Sequence, residues 1–331
     1  MTITRYPTAP ELPGVEFRHL VMPRDLAGMN DVANTVRAAE GGDWVTSYEQ
    51  FRAFYEHLSN CDPATDVMIA ERAGRIVGYG RASWYEDLQG QRLYEPAVFA
   101  HPDEPPDLRI AIYEAMERRN RQIAATHPAG PKLFQTDAAD SASAHLVLLR
   151  ERGYRPVRYA FTMVRPHLDD LPDAPLPEGL EIREVRPEHL RTIFDAEVEA
   201  FRDHWGMGLP TEADYQQFLT DPVQGEYALW RVAWEGDQAA GMVRNYINVE
   251  ENARYGRKRG WVENISVRRP WRRRGLARAL IATSFPVHRA RGMTEAALGV
   301  DTENPNGALR LYESCGFVAT KREATYRKPL G

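Results

Sequence analysis

At 331 residues the chain exceeds the usual size of one domain, and two domains of about 150 residues each are expected. With 43% hydrophobic residues, 27% charged residues and a formal charge of −5, it reads as a soluble globular protein and not as a general nucleic-acid binder, which would carry a basic excess. Residues 1–14 hold no apolar signal core and no run of 18 apolar residues marks a membrane span. Cys61 and Cys315 are too far apart in sequence for a disulfide framework or a metal cluster, so no metal is expected and a reducing, cytoplasmic setting fits.

The elements come twice. VEFR at 15–18 matches LEIR at 180–183, and Ser47 of SYEQFRAF matches Thr211 of TEADYQQF; both open helices, with an amide or acid three residues on. Gly74 and Gly78 answer Gly236 and Gly241, and Gly153-Tyr154 answers Gly316-Phe317. The offset stays between 163 and 165, which marks two copies of one unit. The Pro- and Asp-rich stretch 167–179 (HLDDLPDAPLPEG) is the expected linker between domains 1–166 and 180–331.

In the second copy, periodicity and turn residues predict a strand at 181–185, helices at 188–201 and 212–219, and a hairpin of 227–234 and 239–249 turning at 235–237. A strand at 261–267, a helix at 276–291, a strand at 296–300, a helix at 305–315 closed by Gly316, and a strand at 317–327 follow. The fold class is α+β, each domain a mixed, mostly antiparallel sheet flanked by helices.

The most informative segment is 262–280 (VENISVRRPWRRRGLARAL). A strand ends near Val267, Arg272, Arg273, Arg274, Gly275, Leu276 and Ala277 come next, and a helical pattern starts at once. A helix start exposes unpaired N–H groups and a positive dipole end, which is an anion site. Gly275 and Ala277 let phosphate oxygens approach the amides, and six arginines between 268 and 278 add charge. Coenzyme A, with its pyrophosphate and 3′-phosphate, suits such a loop. No G-x-x-x-x-G-K-[ST] loop is present.

Arg272, Gly275 and Ala277 fit the pattern Q/R-x-x-G-x-G/A, and Ala308, Leu311, Tyr312, Gly316 and Phe317 fit N-x-x-A-x-x-L-Y-x-x-x-G-F. In these motifs the chain resembles the GNAT superfamily of acetyltransferases, closely over 180–331 and in outline over the first half. As two tandem GNAT-like units it is similar to enzymes of the mycothiol synthase type. Asn304 stands four residues before Ala308 and Asn306 two, where the pattern has three, which leaves open which asparagine meets the cofactor.

The resemblance implies acetyl-CoA as donor, direct transfer to the amine of a small-molecule acceptor, and backbone contacts from Ile265, Ser266 and Val267 to the pantetheine. It also implies Tyr312 as the acid protonating the departing thiolate, although its place on an apolar helix face equally suits a core aromatic. Glu263 and His204 are both candidates for the base, and a relayed water could serve in their place. Asp203, His204 and Trp205 form either an acceptor-binding cluster or a helix-end packing cluster. Asn304 before Pro305 is also an N-cap signal.

In the first half the stretch matching the cofactor loop reads HPDEPPDLRIAIYEAM, with acids and a Pro105-Pro106 pair and no glycine between Gly90 and Gly130. Leu149 stands where the offset places Tyr312. This half is expected to keep the fold without the site. A non-catalytic acyl-CoA-binding module, a longer acyl donor, a hydroxyl acceptor and nucleic-acid binding by the arginine cluster are the rival readings. The acceptor's identity and the oligomeric state are not legible.

Overall fold

The computed structural model describes residues 5–7, 9–170, 173–304 and 307–331. In the first half β1 is Glu16–His19, α1 Leu26–Ala39, α2 Tyr48–Glu56, α3 Pro63–Asp66, β2 Val67–Arg72 and β3 Arg75–Glu86. β4 Arg92–Ala100, α4 Pro106–Ala125, β5 Lys132–Ala139, α5 Ser143–Glu151 and β6 Arg155–Arg165 follow. The second half opens with β7 Glu181–Arg183, α6 Leu190–Phe201, α7 Glu212–Thr220, β8 Arg231–Glu235, β9 Gln238–Tyr246 and α8 Val249–Tyr255. It closes with β10 Arg259–Val267, α9 Leu276–Ala290, β11 Glu295–Asp301, α10 Ala308–Ser314 and β12 Val318–Pro329.

The repeat pairs fall on matching devices. Ser47 and Thr211 each accept the amide three residues on and receive the capping side chain of Gln50 and Asp214. Gly74 and Gly236 turn the β2–β3 and β8–β9 hairpins.

The chain forms two compact units, 1–157 with 323–331, and 158–322. In the first, the sheet order is β1-β2-β3-β4-β5-β12, with β4 and β5 parallel and the other neighbours antiparallel. In the second it is β7-β8-β9-β10-β11-β6, with β10 and β11 parallel and the rest antiparallel. The mixed, mostly antiparallel sheet expected of each unit is present.

The compact units do not follow the expected boundaries at 166 and 180. β6, from the first half of the sequence, lies in the second unit, where it pairs with β11 from Ala160 to Arg165. The last strand, read as closing the second domain, pairs with β5 in the first unit from Glu323 to Pro329. Burial explains the exchange. Met163 packs in the core with Val262, Phe285 and Leu298, and Val164 with Trp261 and Ala297. In the first unit Ala324 and Tyr326 are buried and Lys328 reaches buried Glu117 at 2.6 Å.

Elements differ locally from expectation. Residues 227–229 form a 3-10 turn before β8, and α8 stands where a strand was expected to run on to 249. The expected start of a helix at Pro305 lies outside the described residues. The described helix α10 begins at Ala308 with Gly307 at its N-cap, so Asn304 is not the capping residue. Among the described residues no helix is long and apolar enough to cross a membrane, and no group of three or more His, Cys, Asp or Glu could hold a metal ion.

Candidate active site

After β10 a 3-10 turn, Arg269–Trp271, buries Trp271, whose Nε1 donates to Glu235 at 3.1 Å. The backbone then takes positive φ at Arg273 (61°) and Gly275 (86°), and α9 starts at Leu276. The first helical bond runs from the Ala279 N–H to the Gly275 carbonyl, 3.1 Å. Among the described residues the N–H groups of 273–278 find no backbone acceptor. A left-handed turn leading into a helix start leaves a row of donors, the arrangement that binds phosphate oxygens.

The six arginines divide by task. Arg272 is a clip: its Nε donates to the Val267 carbonyl (2.9 Å), one terminal nitrogen to Asp203 (2.6 Å) and the other to the Ala200 carbonyl (2.9 Å). Arg269 also bonds Asp203, and Arg268 bonds Glu199 at 2.8 Å. Three of the charges thus dock the loop onto the end of α6. Arg274 donates to the Glu178 carbonyl and Arg278 to the Ser314 hydroxyl, both at 2.9 Å. The exposed Arg273 guanidinium has no partner among the described residues.

β10 prepares the other wall. Its ladder with β9 shifts register between Glu263 and Ser266, and Asn264 sits there at φ 51°. With β11 it pairs only from Arg259 to Trp261, after which the two strands part. A bulge plus a parting of parallel neighbours turns main-chain groups of a strand end outward. Gly241 of β9 is required beside it, since a Cβ there would come within 2.7 Å of the Ser266 carbonyl. The Ser266 hydroxyl is buried with no hydrogen-bond partner in the structure.

A cavity of about 410 Å³ joins these parts, lined by Ile265, Ser266, Val267, Arg272, Arg273, Gly275, Leu276 and Ala277, with Asn304 and Tyr312 opposite and Asp203 and His204 at its α6 side. Orphaned amides at one end and an orphaned hydroxyl along its wall fit a long, phosphate-ended ligand such as coenzyme A. Tyr312 is buried, and burial first, then the Glu263 carboxylate and Cys315, hold its hydroxyl well above the usual phenol range. Glu263 spans the gap between the parted strands, accepting the Gly299 N–H at 2.7 Å.

Most of the residues singled out from the sequence are brought together here. Arg274, Glu263 and Trp205 do not line the cavity. Trp205 instead lies over the Arg158 guanidinium, 5.4 Å from ring centre to carbon. Asp203, expected at the acceptor, has its carboxylate taken by Arg269 and Arg272, whose hydrogen bonds hold its pKa well below the usual range. Residues the sequence reading missed are Glu197, Arg244 and Asn264, which form a polar cluster at the bulge.

The first unit provides an internal comparison. Glu40, just after α1, pairs with Arg109 of α4 at 2.5 Å, as Asp203, just after α6, pairs with Arg272 of the loop before α9. The loop between β4 and α4 is 101–105: the His101 N–H bonds the Val77 carbonyl as the Arg268 N–H bonds the Ala240 carbonyl, so it stands where the donor loop stands. It is shorter, carries Asp103 and Glu104 in place of arginines, and Pro105 and Pro106 have no N–H to offer. Tyr113 of α4 and His145 of α5 are both buried and joined from the phenol oxygen to Nε2 at 2.7 Å. The β3–β4 ladder runs from Gly78↔Ala100 to Glu86↔Arg92 without a bulge.

Residues 190–317 match the model of the acetyltransferase (GNAT) family. A mycothiol acetyltransferase of Salinispora arenicola is 27% identical, over 97% of this chain and 99% of that protein. One from Thermobispora bispora is 28% identical, over 71% and 80% respectively. Among solved structures, a GCN5-related N-acetyltransferase of Sphaerobacter thermophilus superposes with a TM-score of 0.69 at 26% identity, covering 98% of this chain and 97% of its own. A tandem GNAT protein from the clavulanic acid biosynthesis pathway shares the fold, with a TM-score of 0.63 at 15% identity, over 96% and 99% of the two chains. A strand that opens at its end and a helix tip of unpaired amides both lie within the matched span, which makes residues 190–317 a GNAT acetyltransferase domain, in a chain whose fold is that of tandem GNAT proteins.

Proposed function

We propose that the second unit transfers an acetyl group directly from acetyl-CoA to the amine of a small molecule while both are bound, and that the first unit holds no acyl donor. The observation that carries this reading is the set of unpaired N–H groups at 273–278 opening onto the same cavity as buried Tyr312. The amides and Arg273 would hold the phosphates, and the main chain of 265–267 with the Ser266 hydroxyl would hold the pantetheine. Acetyl-CoA supplies the acetyl group as an activated thioester.

Glu263, which stands beside the cavity and does not line it, takes through a relayed water the proton that the acceptor's ammonium must lose, and Tyr312 gives one to the departing sulfur. Burial keeps that phenol protonated at neutral pH, as an acid has to be. The proton gained by one residue balances the one lost by the other. His204, which lines the cavity, is the second candidate for the base. That the curated relatives are mycothiol acetyltransferases supports a small-molecule acceptor. A longer acyl donor or a hydroxyl acceptor is an outcome of the same test.

The test is a panel of amines offered with acetyl-CoA, following thiol release, on the parent chain, Tyr312→Phe, Glu263→Gln and His204→Ala. Loss of a positioned acid or base should lower kcat about 10²- to 10⁴-fold while CoA affinity is kept. No turnover with any amine, together with tight CoA binding, would favour a non-catalytic acyl-CoA-binding module.

A further inference from the structure

We propose that Glu197 is a positioning residue that holds Asn264 in its left-handed backbone conformation and so keeps open the bulge at the end of β10. This rests on the reading of that strand end as the coenzyme's wall. Asn264, at φ 51°, donates its side-chain amide to the Glu197 carboxylate of α6 at 2.5 Å. Glu197 in turn faces the buried guanidinium of Arg244 on β9, an ion pair at 3.2 Å without hydrogen-bond geometry. Arg244 lies over the Phe218 and Trp230 rings at 4.8 and 5.3 Å and donates to Gln224 at 3.2 Å.

The chain runs from a packed arginine, through a carboxylate, to the residue of β10 whose backbone is left-handed. L-residues other than glycine enter that region at a cost, asparagine least among them, and a side-chain hydrogen bond there selects it. The sheet on either side of Asn264 has a regular ladder to fall back on: Glu263 pairs with Arg244 and Ser266 with Met242, with one residue too many between them for an even register.

The first unit separates cause from accompaniment. At the repeat offset of 163 Arg244 becomes Arg81, and at 164 Phe218 becomes Phe54. Arg81 lies over Phe54 at 4.7 Å, the same stacking as in the second unit. Glu197 becomes Asn34 or Ala33, neither a carboxylate, and the corresponding ladder is continuous from Gly78 to Glu86. Arginine and ring are therefore common to both units, whereas the Glu197–Asn264 pair and the bulge occur together in one.

The lock predicts a specific rescue. In the full chain, Glu197→Ala should weaken binding of coenzyme A about tenfold, and adding Asn264→Gly, which adopts the same φ unaided, should return affinity to within about threefold of the parent. Asn264→Gly alone should bind as the parent does. Amide exchange at 264 and 265, followed without ligand, should change in Glu197→Ala and return in the double variant. The lock is overturned by a Glu197→Ala chain that binds and exchanges as the parent, or by a double variant no better than the single.

Where Glu197→Ala does not fold, Asn264→Val is the alternative, since a β-branched residue is excluded from that φ. Unchanged affinity there also overturns the lock, and loss of affinity with a near-parent melting temperature supports it. A parent chain that binds no coenzyme A strikes the functional reading instead, and leaves the exchange experiment to judge the lock.

Discussion

Gly275 allows the proposed donor loop to be tested by backbone geometry alone. It sits at φ 86°, and a Cβ built there would meet no atom within 4 Å. Alanine would clash with nothing, so its cost is confined to the main chain: about 1–2 kcal/mol for an L-residue held left-handed. A loop that keeps its shape passes this cost to the stability of the second unit. A loop that relaxes turns its amides away, and the ligand must restore them. On that second course Kd for coenzyme A rises roughly 5- to 30-fold. Gly275→Asn, better tolerated in that region, should fall between parent and alanine.

Titration calorimetry with coenzyme A measures the affinity, and the KM for acetyl-CoA with saturating amine measures it under turnover. The kcat should stay near the parent's, because neither Tyr312 nor Glu263 is touched. A Gly275→Ala chain with parental affinity and parental melting temperature would refute the idea that a left-handed donor turn is used at all.

Further expectations are more briefly stated. Calorimetry should find one coenzyme A per chain, since the loop before α4 carries Asp103, Glu104 and two prolines where the donor loop carries arginines and Gly275; two equivalents would contradict this. Arg165→Ala should destabilise the second unit by about 3 kcal/mol in denaturant unfolding, because the buried guanidinium serves the carbonyls of His167, Asp170 and Cys315 and each orphaned acceptor costs about 1–3 kcal/mol. A change below about 0.5 kcal/mol would mean those contacts are replaced by water.

Asp203→Asn should cost up to about 1 kcal/mol at neutral pH, as its ion pairs are partly exposed. Hydrogen bonds from Arg269 and Arg272 depress the folded pKa of Asp203, so its contribution is whole above the unfolded value, about 3.9, and fades as pH falls below that. Unfolding curves of parent and variant should therefore converge below about pH 4; a gap that persists in acid would show that the ion pairs are not its source.

What could be read from the sequence was local chemistry. The donor loop announces itself because strand, arginines, glycine and helix start follow one another within twenty residues, and the repeat pairs mark caps and turns whose geometry depends on one or two residue types. The strand exchange left no such mark. On β6 Met163 and Val164 are buried side by side, and on β12 Ala324 and Tyr326 alternate with less buried neighbours; either pattern marks a buried strand but not the sheet it joins.

The role of Asp203 was hidden because its partners stand 66 and 69 residues further on. α8 was missed because seven residues beside a strand carry little periodicity, although Asn248 capping the Glu251 amide was a usable signal. Asn264 was another: asparagine is poorly suited to a strand interior, and its presence between Glu263 and Ile265 marks an irregularity.

The traded strands also bear on how this polypeptide comes off the ribosome. The first sheet needs residues 323–329 beside β5, so that unit cannot close until the segment forming the second has also been made. One unit finished before the next emerges is therefore not the order this topology favours. A fragment cut at the linker would inherit the coenzyme loop yet lack Arg158 and Arg165, the two guanidiniums that pin the segment bearing Tyr312 at Asp301 and at Cys315.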